Sequence, residues 1–260
     1  YITIPLLLIP QILLCGLVIK FDDLNTSASK ENKVPLIGDI IPSRWAFEAL
    51  MVEQFADNAY NQAYFPIERE KYLAQYYENI HSKEVRRLAE QLEGKDDPDK
   101  RLTVENELAV LGRAARIAPR SEGESFLSYL DKVDSALHER ARNFTAYLDQ
   151  IQEKDIREKG SEWVTEQKKK YHNSAIEDLV MGAGSRNFYK EHGNRIYPAV
   201  GQIYIVPDNP FGRAPFYSYE KKLGSMLIST YNFNLLIIGF FALLAIIAIF
   251  AEFPGRLKEE

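Results

Sequence analysis

The chain has 260 residues, a formal net charge of −5 and a charged fraction of 27%, which is length enough for one or two domains. The mild acidic balance excludes the clustered basic surface that nucleic acid requires, so no nucleic-acid partner is expected. A lone cysteine, Cys15, excludes a disulfide within the chain.

The mean hydropathy of −0.28 hides a segregation, because the apolar residues gather at the two ends. Residues 1–19 read YITIPLLLIPQILLCGLVI, carry no charge and are closed by Lys20. That length just crosses a hydrocarbon core of roughly 30 Å, and a transmembrane helix is expected there. Pro5, Pro10 and Gln11 interrupt it. Proline inside a membrane helix leaves carbonyls without donors and favours a kink or a break. A signal-peptide core is the other reading of such a run, but no basic segment precedes it and no small-residue cleavage site follows. Opening on Tyr1 in mid-run reads as a piece of a longer protein.

Residues 20–65 are expected to form an extracytoplasmic loop. DDLNTSASKENK reads as a mobile stretch. VPLIGDIIP, apolar but broken by Pro35, Gly38 and Pro42, fits a chain lying at the membrane interface or dipping back into it. Ser43 is the expected N-cap of the next helix. There Trp45, Phe47, Leu50, Met51, Val52 and Phe55 cover most of the circumference, as in a helix packed on several sides or a soluble core helix.

Residues 66–181 change to one-sided helical periodicity. Pro66 suits a first turn, and Leu73, Tyr77, Ile80, Leu88 and Leu92 recur until Gly94. Val104, Leu108, Leu111 and Ala115 mark a second helix ended by Pro119. A long helix is predicted over 122–158, with Phe126, Leu130, Val133, Leu137, Ala141, Phe144, Leu148 and Ile151 forming nearly a heptad seam. A further one spans 161–181 with Val164, Tyr171, Ala175 and Leu179. Helices with one apolar stripe must pair to bury it, so an antiparallel bundle or long hairpin projecting from the membrane is expected.

Residues 182–230 read as an irregular return, with residues 203–206 a short strand or an extended run. The tyrosines before the last apolar segment, with Lys221 and Lys222, suit an interfacial belt of amphipathic rings and snorkelling amines. Residues 231–253 are the expected final membrane helix, whose centre LLIIGFFALLAIIAIFA has no hydrogen-bonding side chain. In the tail, 254–260, Arg256 and Lys258 favour the cytoplasm by the positive-inside rule. The expected fold class is therefore mainly α, with two transmembrane helices flanking an extracytoplasmic helical bundle or hairpin and re-entrant interfacial helices.

Motifs for chemistry are sparse. His81, His138, His172 and His192 are scattered, without an HExxH or paired CxxC, and each is expected to be a solvated helix residue. The many carboxylates are assigned to polar helix faces. The GxG at residues 182–184 reads as a helix C-cap and hinge, and no GxxxxGK[ST] run occurs. Ser225 and Ser229 have no neighbouring histidine. No catalytic residue, metal site or cofactor site is assigned, and the sequons at Asn25 and Asn143 are attributed to chance.

Three stretches together carry a family likeness: LLLIPQILLCGLVIKFDDLN, VPLIGDIIPSRWAFEALMVEQF and KKLGSMLISTYNFNLLIIGFFALLAIIAIF. They resemble the C-terminal end of the membrane domain of ABC-2 type transporters, close to the G-subfamily arrangement and to large Bacteroidetes-like fusions of ATPase and permease. The likeness covers about 80 residues at the two ends, with SRWAFEAL, residues 43–50, its most specific part. The 66–181 region departs from the short loop of that family. The resemblance implies a multi-pass protein of the bacterial inner membrane, with residues 20–230 extracytoplasmic. It also implies ATP and Mg held by an ATPase domain before Tyr1, with none in this chain. Partners would be lipid, the protein's own N-terminal ATPase and membrane helices, a second half-transporter in a homodimer or pair, and a periplasmic protein docking on the bundle. Pro5, Pro10 and Gln11 would line the translocation path or mark a purely structural kink. The rival from another class is a two-helix membrane-anchored sensor or interaction protein; the nine residues after Ala251 offer no signalling helix. An anchored enzyme is disfavoured by the missing catalytic constellation.

Overall fold

The computed structural model describes residues 3–18, 21, 31, 33–92 and 97–256. Most of the stretch DDLNTSASKENK, expected to be mobile, the sequon at Asn25, the helix stop at Gly94 and the tail beyond Arg256 lie outside the described residues. The protein is mainly helical and divides into two units, one of residues 1–29, 33–54 and 206–260, the other of residues 30–32 and 55–205.

In the first unit, α1 spans Thr3–Leu13 with Pro10 inside it. Its 11 residues rise about 16 Å, roughly half a hydrocarbon core. A single turn, α2 (Leu36–Asp39), leads into α3 (Pro42–Ala56). Helix α3 starts at Pro42, one residue before the expected cap, because proline's fixed φ suits the first turn. A hairpin of β3 (Glu220–Leu223) and β4 (Met226–Ser229) follows, in antiparallel register with Leu223 opposite Met226. It runs directly into α10, Thr230–Arg256.

Helix α10 is the one described helix long and apolar enough to cross a membrane: 21 residues, Thr230–Phe250, at mean hydropathy 2.8. Only 6% of its apolar window is covered by protein. Leu236, Ile249 and Phe250 stand more than half exposed.

In the second unit, α4 (Phe65–Tyr76), α5 (Ser82–Gln91), α6 (Pro98–Ala115) and α7 (Phe126–Lys159) are the main helices. Their core joins Val85, Leu88 and Ala89 of α5 to Val104, Leu108 and Leu111 of α6 and Leu130, Val133 and Leu137 of α7. The long helix starts four residues later than its apolar spacing suggests, at Ser125's extended backbone. Along its seam Leu130, Val133, Leu137, Ala141 and Leu148 are buried. Helix α4 runs along α7, and the Tyr64 hydroxyl donates to Asp155 at 2.5 Å.

Beyond Gly160 come α8 (Ser161–Tyr171) and α9 (Ser174–Met181), which Asn173 splits from one another by capping α9. A hairpin of β1 (Tyr189–His192) and β2 (Arg195–Pro198) closes the unit. Residues 203–206 are not a strand: Gln202–Tyr204 form a 3-10 turn that follows Gly201. Both hairpins instead turn on a glycine at positive φ, Gly193 and Gly224, in two-residue loops.

Candidate functional site

Polar side chains at the foot of α10 form a closed network. Glu48, on α3, is fully buried and lies at its centre. Its Oε2 accepts from Arg44 Nη1 at 2.8 Å and from Asn234 Nδ2 at 2.9 Å. Its Oε1 accepts from Lys221 Nζ at 2.6 Å. Arg44 and Glu48 meet because residues four apart share a helix face. Lys221 arrives from β3, and Asn234 is the fifth residue of α10.

The network extends outward. Arg44 Nη2 donates to Asp39 Oδ1 at 2.5 Å, and the guanidinium lies over the Trp45 ring at 3.5 Å from its centroid. Trp45 Nε1 donates to the Asp39 carbonyl, and Asn234 Nδ2 also donates to the Trp45 carbonyl. Thr230 Oγ1 donates to the Ser218 carbonyl at 2.5 Å. Two cations therefore face two carboxylates, so no net charge is left in the interior. Arg44 Nε and Asn234 Oδ1 are buried without a partner among the described residues. Burial pushes the Lys221 ammonium below its ordinary 10.5, and the Glu48 carboxylate opposes that shift.

From sequence, Lys221 is expected to snorkel at the interface and the carboxylates to occupy solvated faces. Instead Lys221 is 1% exposed and Glu48 0%, because each meets the other's charge and Glu48 also accepts from Arg44 and Asn234. Of the histidines, His138 and His172 are exposed, but His81 is buried. It ends a π-helical turn, Tyr77–His81, with Nε2 at 2.8 Å from Glu107 Oε2. The other Glu107 oxygen accepts from Arg195 Nε and the Ile196 backbone amide, both at 3.0 Å.

Of the three residues expected on a translocation path, Pro5 and Pro10 face outward on α1. Gln11 is half-buried and held by Ser43: its Oε1 accepts from Ser43 N at 3.1 Å, and its carbonyl accepts from Ser43 Oγ at 2.7 Å. The residues missed were Arg44, Glu48 and Asn234. The available signals were an i,i+4 Arg–Glu pair inside an apolar helix and an asparagine at the head of a membrane-length run, where polar groups need partners.

Chemically the arrangement is a clamp. Glu48 accepts from three donors, and the network joins α3, β3 and α10. Among the described residues no cluster of three metal-ligating side chains occurs. No protein-family model, no curated protein and no solved structure matches the chain.

Proposed function

We propose that the chain is the C-terminal part of the permease domain of an ATP-driven ABC exporter of the ABC-2 type. The observation that supports it best is the clamp. Helix α10, of membrane length, is held through Asn234 to Glu48, and Glu48 belongs to the SRWAFEAL segment that resembles the permease family. In this reading α10 is the last crossing and α1 belongs to the one before it. The chain is multi-pass in a bacterial inner membrane, residues 20–230 are extracytoplasmic, and Gln11 lies beside the substrate path.

In this reading ATP and Mg act in an ATPase domain encoded before Tyr1. The bundle of residues 66–181 is then a docking or gating element, seated on a dimer mate or a periplasmic partner. Reading the coding sequence upstream of Tyr1 tests the proposal. A Walker A motif and four further apolar spans in frame are expected; an immediate start codon overturns it. Within such a protein, replacing residues 66–181 by a short bridge should leave ATPase activity and impair export.

A further inference from the structure

The β3–β4 hairpin ends in an apolar tip. Leu223 and Met226 face each other across the ladder, and Phe211 bridges to Leu223 on the other side. Cross-strand neighbours share a face, so Phe211, Leu223 and Met226 stand in a row. They are 80%, 52% and 66% exposed, and the adjacent Leu227 is 48% exposed. The turn between the strands, Gly224-Ser225, carries no charge. Phe211, Leu223 and Met226 on one face and Leu227 on the other, beside Lys222, make both sides of the turn apolar, and exposed apolar patches of this kind mark an interaction site.

The direction of α10 says what covers them. The helix starts at the base of the hairpin, where Thr230 N donates to the Tyr219 carbonyl at 2.9 Å. By Asn234 it has reached the level of Lys221, since both bond Glu48. Two strand steps, about 7 Å, thus match four helical steps, about 6 Å. The Phe233 ring also lies against Gly212, whose amide donates to the Lys222 carbonyl at 2.7 Å. Helix and hairpin therefore advance together. Leu223 lies two strand steps beyond Lys221, alongside the part of α10 that starts at Leu235 and bears only apolar side chains. The tip continues the lipid-facing surface of α10.

We propose that the Phe211–Leu223–Met226–Leu227 tip is a lipid-binding wedge, immersed in the leaflet beside α10. Lys222, one residue from the tip and half-buried, then meets the phosphates above it. The proposal rests on α10 crossing a bilayer, and holds whether or not that bilayer protein is an exporter.

The test uses the full-length protein in phosphatidylcholine vesicles with lipid-borne nitroxide quenchers. An environment-sensitive fluorophore is placed at Met226→Cys and, independently, at Phe211→Cys, in a Cys15→Ser background. Leu236→Cys on α10 reports the crossing and Ser128→Cys on α7 reports solvent. The wedge requires quenching of the Met226 and Phe211 labels severalfold above the Ser128 label and comparable to the Leu236 label. Quenching at Leu236 with tip labels at the Ser128 level overturns the wedge and leaves the crossing intact. Four unquenched labels overturn both. Tip labels that are blue-shifted, unquenched and restored by dilution identify a second copy as the cover, and also overturn it.

Discussion

Gln11 and Ser43 cap each other's helices. The Gln11 side-chain oxygen takes the Ser43 amide, an orphan donor in the first turn of α3, at 3.1 Å, while the Ser43 hydroxyl satisfies the Gln11 carbonyl in the last turn of α1 at 2.7 Å. Each substitution, Gln11→Leu and Ser43→Ala, is expected to lower stability by about 1 kcal/mol. In the double variant the losses should add to within about 0.5 kcal/mol, because each substitution removes its own hydrogen bond to the other residue's backbone. Chemical unfolding in detergent measures the cycle; a single variant that loses nothing refutes mutual capping.

The charge balance around Glu48 makes a second expectation. Glu48→Gln leaves Arg44 and Lys221 facing Asp39 alone and should cost about 3–5 kcal/mol, the penalty for an uncompensated buried charge. Adding Lys221→Met restores the balance while the amide still accepts from Asn234 and Arg44. The double variant should therefore be more stable than Glu48→Gln alone, with a coupling of about 1–3 kcal/mol. Thermal unfolding in detergent decides it; an equal or lower melting point for the double variant contradicts the clamp.

Gly201 offers a local test in the second unit. Its φ is +65°, and a Cβ there would land on the Tyr72 ring. Gly123, at φ +84°, has nothing near its missing Cβ. Gly123→Ala should therefore cost about 1–2 kcal/mol for the backbone conformation alone. Gly201→Ala should cost a further 1–3 kcal/mol or so for displacing Tyr72. Equal losses in equilibrium unfolding would show that the close approach carries no energy.

The tyrosines set an alkaline limit. Burial pushes Tyr72 from 10.0 up to about 12, and burial with a hydrogen bond to Glu84 does the same for Tyr189. Burial also raises Tyr76 and Tyr204. Between pH 10 and about 12 the folded unit keeps protons that the unfolded chain has released. Stability is full below pH 10 and falls as pH rises through this window. Phenolate absorbance from these groups should thus appear together with the loss of helical circular dichroism. Ionisation that precedes unfolding contradicts their burial.

The long elements were legible because one-sided periodicity is a direct record of burial. The α7 seam from Leu130 to Leu148 and the uncharged run of α10 could be read off the spacing. The hairpins were missed although Gly193-Asn194 and Gly224-Ser225 are both turn dipeptides of the two-residue class. Their strands have four residues each, too few for alternation to stand out. The clamp was illegible for another reason. A charged side chain in sequence carries no sign of whether it is solvated or paired, and Glu48 meets Lys221 across a separation of 173 residues. His81 and Glu107 were misjudged in the same way, 26 residues apart.

That separation has a consequence for how the chain is made. Glu48 leaves the ribosome 186 residues ahead of Asn234. Helix α3 must wait, with the Glu48 carboxylate supported only by Arg44, while the whole second unit is synthesised. The helical core of that unit draws on neighbouring segments and can assemble as it emerges. The first unit closes last, when β3 brings Lys221 and the head of α10 brings Asn234. The first unit is thus completed only after the residues between its two halves have been made.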